Sequence, residues 1–346
     1  MNNISNVYQQ GQPMPPPNYA KAITPEIAEK RRFKGVINYM SAGLLGYSMI
    51  LYGSIVGFLV IQMIMCMVTS HSSEEYNAKI SQLDETMTES AGSMIVGVIL
   101  GCIFLMLFFI KKLPVKEIIA PHRKMTAKKL VMLICVLMGC QFVFSITESI
   151  IESLLNLAGF NAEAAIESSK AGSTTISMMI YAGYIGPLAE ELTYRGYTMH
   201  SLQKGGGKIF AIIVSSILFG VMHANITQSL FAMGVGIVFA YTAIEYGIIW
   251  SLVLHIANNF VFGDCIVFLE KHMPETAATI LDYTIFIGFF VAAVAIVIYK
   301  RKTIARYIKA NRTPAKYYNW TFSSVPLIIF IGLNILLAVM TISKLK

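Results

Sequence analysis

Seven side chains stand out because their types and spacing could do chemistry inside an otherwise apolar stretch. The run Ala189-Glu190-Glu191-Leu192-Thr193-Tyr194-Arg195 places two carboxylates and a guanidinium in one helical segment. His223 closes the run Ile217-Leu218-Phe219-Gly220-Val221-Met222-His223, and His255, Asn258 and Asn259 follow in Leu254-His255-Ile256-Ala257-Asn258-Asn259-Phe260. Glu191 and Arg195 are i,i+4 with the acid first, the favourable order for a pair on one helical face. They read as a structural ion pair. Glu190 is one residue earlier, roughly 100° round the helix. It is therefore free to point elsewhere and to take a proton from water as a general base. His255 and Asn259 are again i,i+4, so an imidazole N–H and an amide can aim at one oxygen, as an oxyanion hole requires. His223 stands at comparable depth and could share a water with Glu190. The chemistry implied is attack by activated water on a carbonyl. Taken singly, a membrane histidine or asparagine is more often an interhelical hydrogen bond. It is their convergence on three helices that favours a site, since an intramembrane ionisable group is costly unless paired or used.

Those helices must be membrane spans. The chain has 346 residues, 55% hydrophobic and only 13% charged, with a mean hydropathy of +0.63. That composition excludes disorder, a coiled coil and a disulfide-rich secreted domain. The net charge of +8, from 27 basic and 19 acidic residues, would suggest nucleic acid in a soluble chain. Here the basic residues sit between apolar runs, so phospholipid headgroups are the expected partner and nucleic acid is not. Apolar runs fall at 38–68, 92–110, 130–150, 175–203, 209–225, 229–246, 248–268, 280–299 and 324–342. The fold class is therefore all-α, a polytopic transmembrane helical bundle of about eight to nine spans. Loops 111–129 and 300–316 are basic, whereas 70–91 is acidic, so the N-terminus is expected in the cytoplasm and the C-terminus outside. Cys66, Cys102, Cys135, Cys140 and Cys265 all lie in apolar runs with no CxxC pair, and read as small hydrophobes. The expected organisation is a flexible proline-rich cytoplasmic tail over 1–34, N-terminal spans over 35–174, a core over 175–262 and C-terminal spans over 263–346.

The three motifs, Glu190-Glu191-x-x-x-Arg195, Phe219-x-x-x-His223 and His255-x-x-x-Asn259, resemble those of the CPBP family of intramembrane proteases. That family includes the type II CAAX prenyl endopeptidases and bacteriocin-processing and immunity proteins. The resemblance covers roughly 175–262. It implies a membrane hydrolase in which Glu190 activates water with His223, while His255 and Asn259 stabilise the oxyanion and Glu191 and Arg195 support. It leaves two mechanisms, glutamate-dependent and metalloprotease. Glu190, His223 and His255 would be the three zinc ligands, with one position open for water. No HExxH is present and Asn259 is a poor zinc ligand, so the metal-free mechanism is the expectation. The expected substrate is a peptide or small membrane protein, more in the manner of a leader peptide, pheromone or bacteriocin than of a prenylated CAAX protein. The expected setting is a bacterial plasma membrane. Two rival readings are a non-proteolytic immunity or scaffold protein, and a proton-coupled transporter using the buried Glu and His as a relay. Intact motifs oppose the first, and the lack of a second Glu-His cluster opposes the second.

Overall fold

A computed structural model describes residues 24–89, 91–109, 115–119, 123–161 and 175–344. All nine apolar runs are helical over these residues. The helices are α1 (Pro25–Thr69), α2 (Ser73–Glu89), α3 (Gly92–Phe109), α4 (Val115–Ile119) and α5 (Ala127–Leu157). A winding helix over 176–206, α6, follows. Then come α7 (Lys208–Met222), α8 (Ile226–Tyr246), α9 (Ile248–Lys271), α10 (Glu275–Ala310), α11 (Ala315–Thr321) and α12 (Val325–Met340). The strands are two residues each, β1 (Phe160–Asn161) and β2 (Ser343–Lys344), paired antiparallel. The protein is thus an all-helical, polytopic integral membrane protein.

The nine apolar runs are not equally long as helices. Five of the described helices are long and apolar enough to cross a bilayer, and α11 with α12, bent by 71°, would make a sixth. Helix α7 has 15 residues, about 22 Å at 1.5 Å per residue, against a hydrocarbon core of roughly 30 Å. It ends where His223 begins, so the run 209–225 is a short helix and a turn. Helix α6 carries Glu190, Glu191 and Arg195 and is interrupted by wide turns. The start of the chain differs too. Residues 1–23 lie outside the described residues, but helix α1 begins at Pro25, well inside the expected 1–34 tail. Thr24 caps it, accepting from the Ile27 N–H at 3.3 Å. Proline at the first helical position, followed by Glu26, makes a favourable start.

The core runs through the motif helices. Phe33, Met40 and Leu44 of α1, Phe210 and Leu218 of α7 and Phe330 of α12 belong to one buried cluster. Helices α7 and α8 are in closest contact at Gly220, where an added Cβ would stand 2.4 Å from the Ser229 carbonyl oxygen. At one end of the bundle the buried Glu245 gathers three elements. It receives Lys208 at 2.7 Å, Arg123 at 3.0 Å and the Tyr307 hydroxyl at 2.9 Å. At the same end Glu29 holds Lys316 at 2.7 Å and accepts from the Tyr317 hydroxyl. The β1–β2 ladder joins the end of α5 to the last described residues at the other end.

Candidate active site

The site begins with a distortion of α6. Pro187 has no N–H to give to the helix ladder, and the turn before it, Tyr181–Ile185, winds as a π-helix. Gly186–Glu190 is regular, and Glu191–Met199 widens again into π turns. In the second stretch the Thr198 hydroxyl reaches back five residues to the Thr193 carbonyl at 2.9 Å, and His200 Nδ1 lies 2.6 Å from the Arg195 carbonyl. Such π segments inside α-helices concentrate at functional sites. Glu190 and Glu191 straddle the junction between regular and wide turns.

Glu191 and Arg195 pair as their spacing expects. Arg195 Nη1 is 3.2 Å from Glu191 Oε1, and both side chains are 1% exposed. The guanidinium lies over the Phe219 ring, 4.1 Å from its centroid, and 5.2 Å from that of Phe239. Its Nη2 donates to the Gly236 carbonyl at 3.4 Å. The motif phenylalanine therefore supplies a π face that holds a desolvated cation.

His255 links the two glutamates. Its Nδ1 is 3.0 Å from Glu191 Oε1 and its Nε2 is 3.4 Å from Glu190 Oε2. Glu191 Oε1 stands at Nδ1 as a hydrogen-bond acceptor, and Nε2 is turned toward Glu190 and the cavity. The ring stacks on Phe239, with centroids 4.5 Å apart and planes at 22°. Helical spacing assigned Glu190 and Glu191 to different faces. Their carboxylates do diverge, but the imidazole lies between them and touches both.

His223 occupies the first position after α7, and its ring meets Phe219 edge-on at 5.1 Å. Ala224 follows with φ +48°, a left-handed conformation unusual for a residue with a Cβ. Asn225 then caps α8, its Oδ1 accepting from the N–H groups of Thr227 at 3.1 Å and Gln228 at 3.3 Å. Asn259 lies in the π stretch Ala257–Cys265 of α9. Its Nδ2 donates to the Ala182 carbonyl at 3.0 Å, leaving its second N–H. Its Oδ1 accepts from Asn258 Nδ2 at 3.0 Å. Asn258 in turn accepts from Gln141 Nε2 of α5 at 3.3 Å.

Glu190, His223, His255 and Asn259 all line one cavity of about 60 Å³, together with Phe219, Gln228, Asn258 and an apolar strip of α8. It has room for a few waters or a peptide group, and its polar groups converge from three helices and one turn. Glu190 is 19% exposed there, against 1% for Glu191. Gln228, Phe239 and the Gln141–Asn258 link were not found by sequence reasoning. Gln228 carries a weak signal, an amide between two apolar runs, five residues after His223. Phe239 carries none, as one of 20 phenylalanines. Among the described residues no three His, Cys, Asp or Glu side chains are grouped so as to hold a metal ion.

Residues 172–261 match the family described as Type II CAAX prenyl endopeptidase Rce1-like. The chain is also similar to a curated protein named "Putative membrane peptidase YdiL", from Bacillus subtilis (strain 168), with 29% identity over 83 residues. Those residues are 24% of this chain and 34% of that protein, so the chain matches about a third of the relative's length. No solved structure matches.

Proposed function

We propose that the Rce1-like segment, 172–261, is the catalytic core of a membrane endopeptidase that cleaves a peptide bond by glutamate-activated water. The observation that carries this reading is the convergence of Glu190, His223, His255 and Asn259 on one small cavity within the segment that matches the peptidase family. In the proposed reaction a water held between Glu190 and His223 gives its proton to the Glu190 carboxylate as its oxygen bonds to the scissile carbonyl carbon. The carbonyl oxygen gains the negative charge. In this reaction His255 carries a proton on both ring nitrogens, so that Nδ1–H is held by Glu191 while Nε2–H and the free N–H of Asn259 are the donors toward that oxygen. Glu190 then passes the proton to the departing amine as the C–N bond breaks, which leaves a carboxyl and an amino terminus. Glu191 accepts from Nδ1 of His255 and holds the ring turned to the cavity. Arg195 compensates Glu191 and is itself held by Phe219 and Phe239.

The proposed substrate is a peptide or small membrane protein of the leader-peptide, pheromone or bacteriocin kind. The proposed mechanism needs no metal. The proposed setting is a bacterial plasma membrane, with the N-terminus in the cytoplasm. The test is a purified full chain in lipid nanodiscs, incubated with a mixture of hydrophobic leader-like peptides and read by mass spectrometry. The expected result is new termini in wild type, none in Glu190→Gln, and no effect of a zinc chelator. No cleavage of any peptide by a folded wild type would overturn the reading, and loss of cleavage on chelation would overturn its metal-free form.

A further inference from the structure

The turn that presents His223 is fastened from outside the family-like segment. A helix leaves its last carbonyls without partners inside the helix. At the end of α7 the N–H groups of His223 and Ala224 fold back onto Gly220 at 3.1 Å and Val221 at 3.2 Å. The Met222 carbonyl instead faces the hydroxyl of Tyr52 on α1, at 3.3 Å. The same phenol proton points at Oδ1 of Asn334 on α12, at 2.7 Å. Asn334 Nδ2 donates to the Phe330 carbonyl at 2.8 Å, which fixes the amide with its oxygen toward the phenol. Asn334 is 1% exposed in a helix of otherwise apolar character, a placement that is costly unless its polar atoms are engaged. Tyr52 is thus a three-centre donor that joins α1, α12 and the last residue of α7, next to His223.

The other side of the turn explains why such a fastener is needed. Ala224 is held at φ +48°, and a non-glycine residue persists there only where its surroundings over-determine it. The Asn225 cap fixes the chain after Ala224, and the Tyr52 hydroxyl fixes the chain before it. We infer that Tyr52, oriented by Asn334, is a positioning residue for His223 and sets where its imidazole stands on the cavity wall. The inference rests on the reading of His223 as part of the active site. It makes α1 and α12, which lie outside residues 172–261, working parts of that site.

The test is carried out on the full chain in nanodiscs with ¹³C-labelled histidine. The His223 signal is identified by its disappearance in His223→Gln. Tyr52→Phe and Asn334→Leu should each shift or broaden that signal while the exposed His71 and His272 stay unchanged. With a peptide that the wild type cleaves, kcat should fall by up to roughly 10²-fold, the scale for misplacing a reacting group by about 1 Å, and KM should stay the same. An unchanged His223 signal in both variants overturns the inference. So does a common shift of all the histidines, which would mean general loosening, and so does wild-type kcat alongside a displaced signal. A displaced His223 signal in a protein whose wild type cleaves nothing would instead uphold the fastening and overturn the peptidase reading.

Discussion

Glu190 and Glu191 differ by one position and by nearly everything in their surroundings. Glu191 is sealed against Arg195 and His255, whereas Glu190 reaches the cavity. Glu190→Gln keeps the shape and removes the base, so cleavage should vanish while thermal unfolding stays close to wild type. Glu191→Ala leaves Arg195 buried without its carboxylate, a loss of roughly 3–5 kcal/mol for a broken buried pair. It should show as lower yield and a lower Tm, and a Glu191→Ala protein as stable as wild type would refute the pairing. Asn259→Ala removes one proposed oxyanion donor, for which kcat should fall roughly 10²–10³-fold with little change in KM. Metal analysis by mass spectrometry on wild type and His255→Ala runs alongside. Stoichiometric zinc in the first and none in the second would reject the metal-free reaction. At this scale the i,i+4 spacings made the Glu191–Arg195 pair readable, because a regular repeat fixes which residues share a face. The contact of both glutamates with His255 was not readable, since it depends on how α6 and α9 pack and on π turns that spacing rules do not include.

The elements hold these residues by close approach. Gly220 lies three residues before His223, and its Cα faces the α8 backbone, with Ser229 O at 2.4 Å and Met233 N at 3.1 Å from an added Cβ. Neither backbone atom can move aside as a flexible side chain would. Gly220→Ala should therefore push α7 from α8, with a stability loss of about 1–3 kcal/mol for overpacking, and should carry His223 away from Glu190. A thermal melt and a cleavage assay together would check it, and an unchanged Tm would show that the two helices are not so tightly joined. The apolar runs located nine of the twelve described helices because burial and lipid contact both demand apolar side chains. They misplaced the ends for a related reason. Nothing in apolarity distinguishes a helix that crosses from one that stops at a turn inside the bundle, as α7 does at His223. The Asn at 225 was the available signal, since it is a favoured N-cap, but it read instead as one more polar residue of the span.

Across the whole molecule the charges sort by end. Arg123 and Lys208 meet on Glu245, and Lys316 meets Glu29, so the starts of α1, α5, α7 and α11 and the ends of α8 and α10 share one basic end. Lys300, Arg301, Lys302, Arg306 and Lys309 extend from the apolar part of α10 toward the same end. The opposite end carries α2, with Glu74 and Glu75 in its first turn, and the β1–β2 ladder. Basic residues flanking apolar helices are retained on the cytoplasmic side, and acidic residues contribute little to that choice. The bundle should therefore stand with Glu245 and its partners in the cytoplasm. The check is labelling of intact cells with a membrane-impermeant maleimide, in a background where Cys66, Cys102, Cys135, Cys140 and Cys265 are replaced. Arg312→Cys should label only after the membrane is permeabilised, and Asn77→Cys should label in intact cells. The reverse pattern would invert the protein in the membrane. The two positions lie on different elements at opposite ends, so agreement between them fixes the orientation of the bundle as a whole and not that of one hairpin.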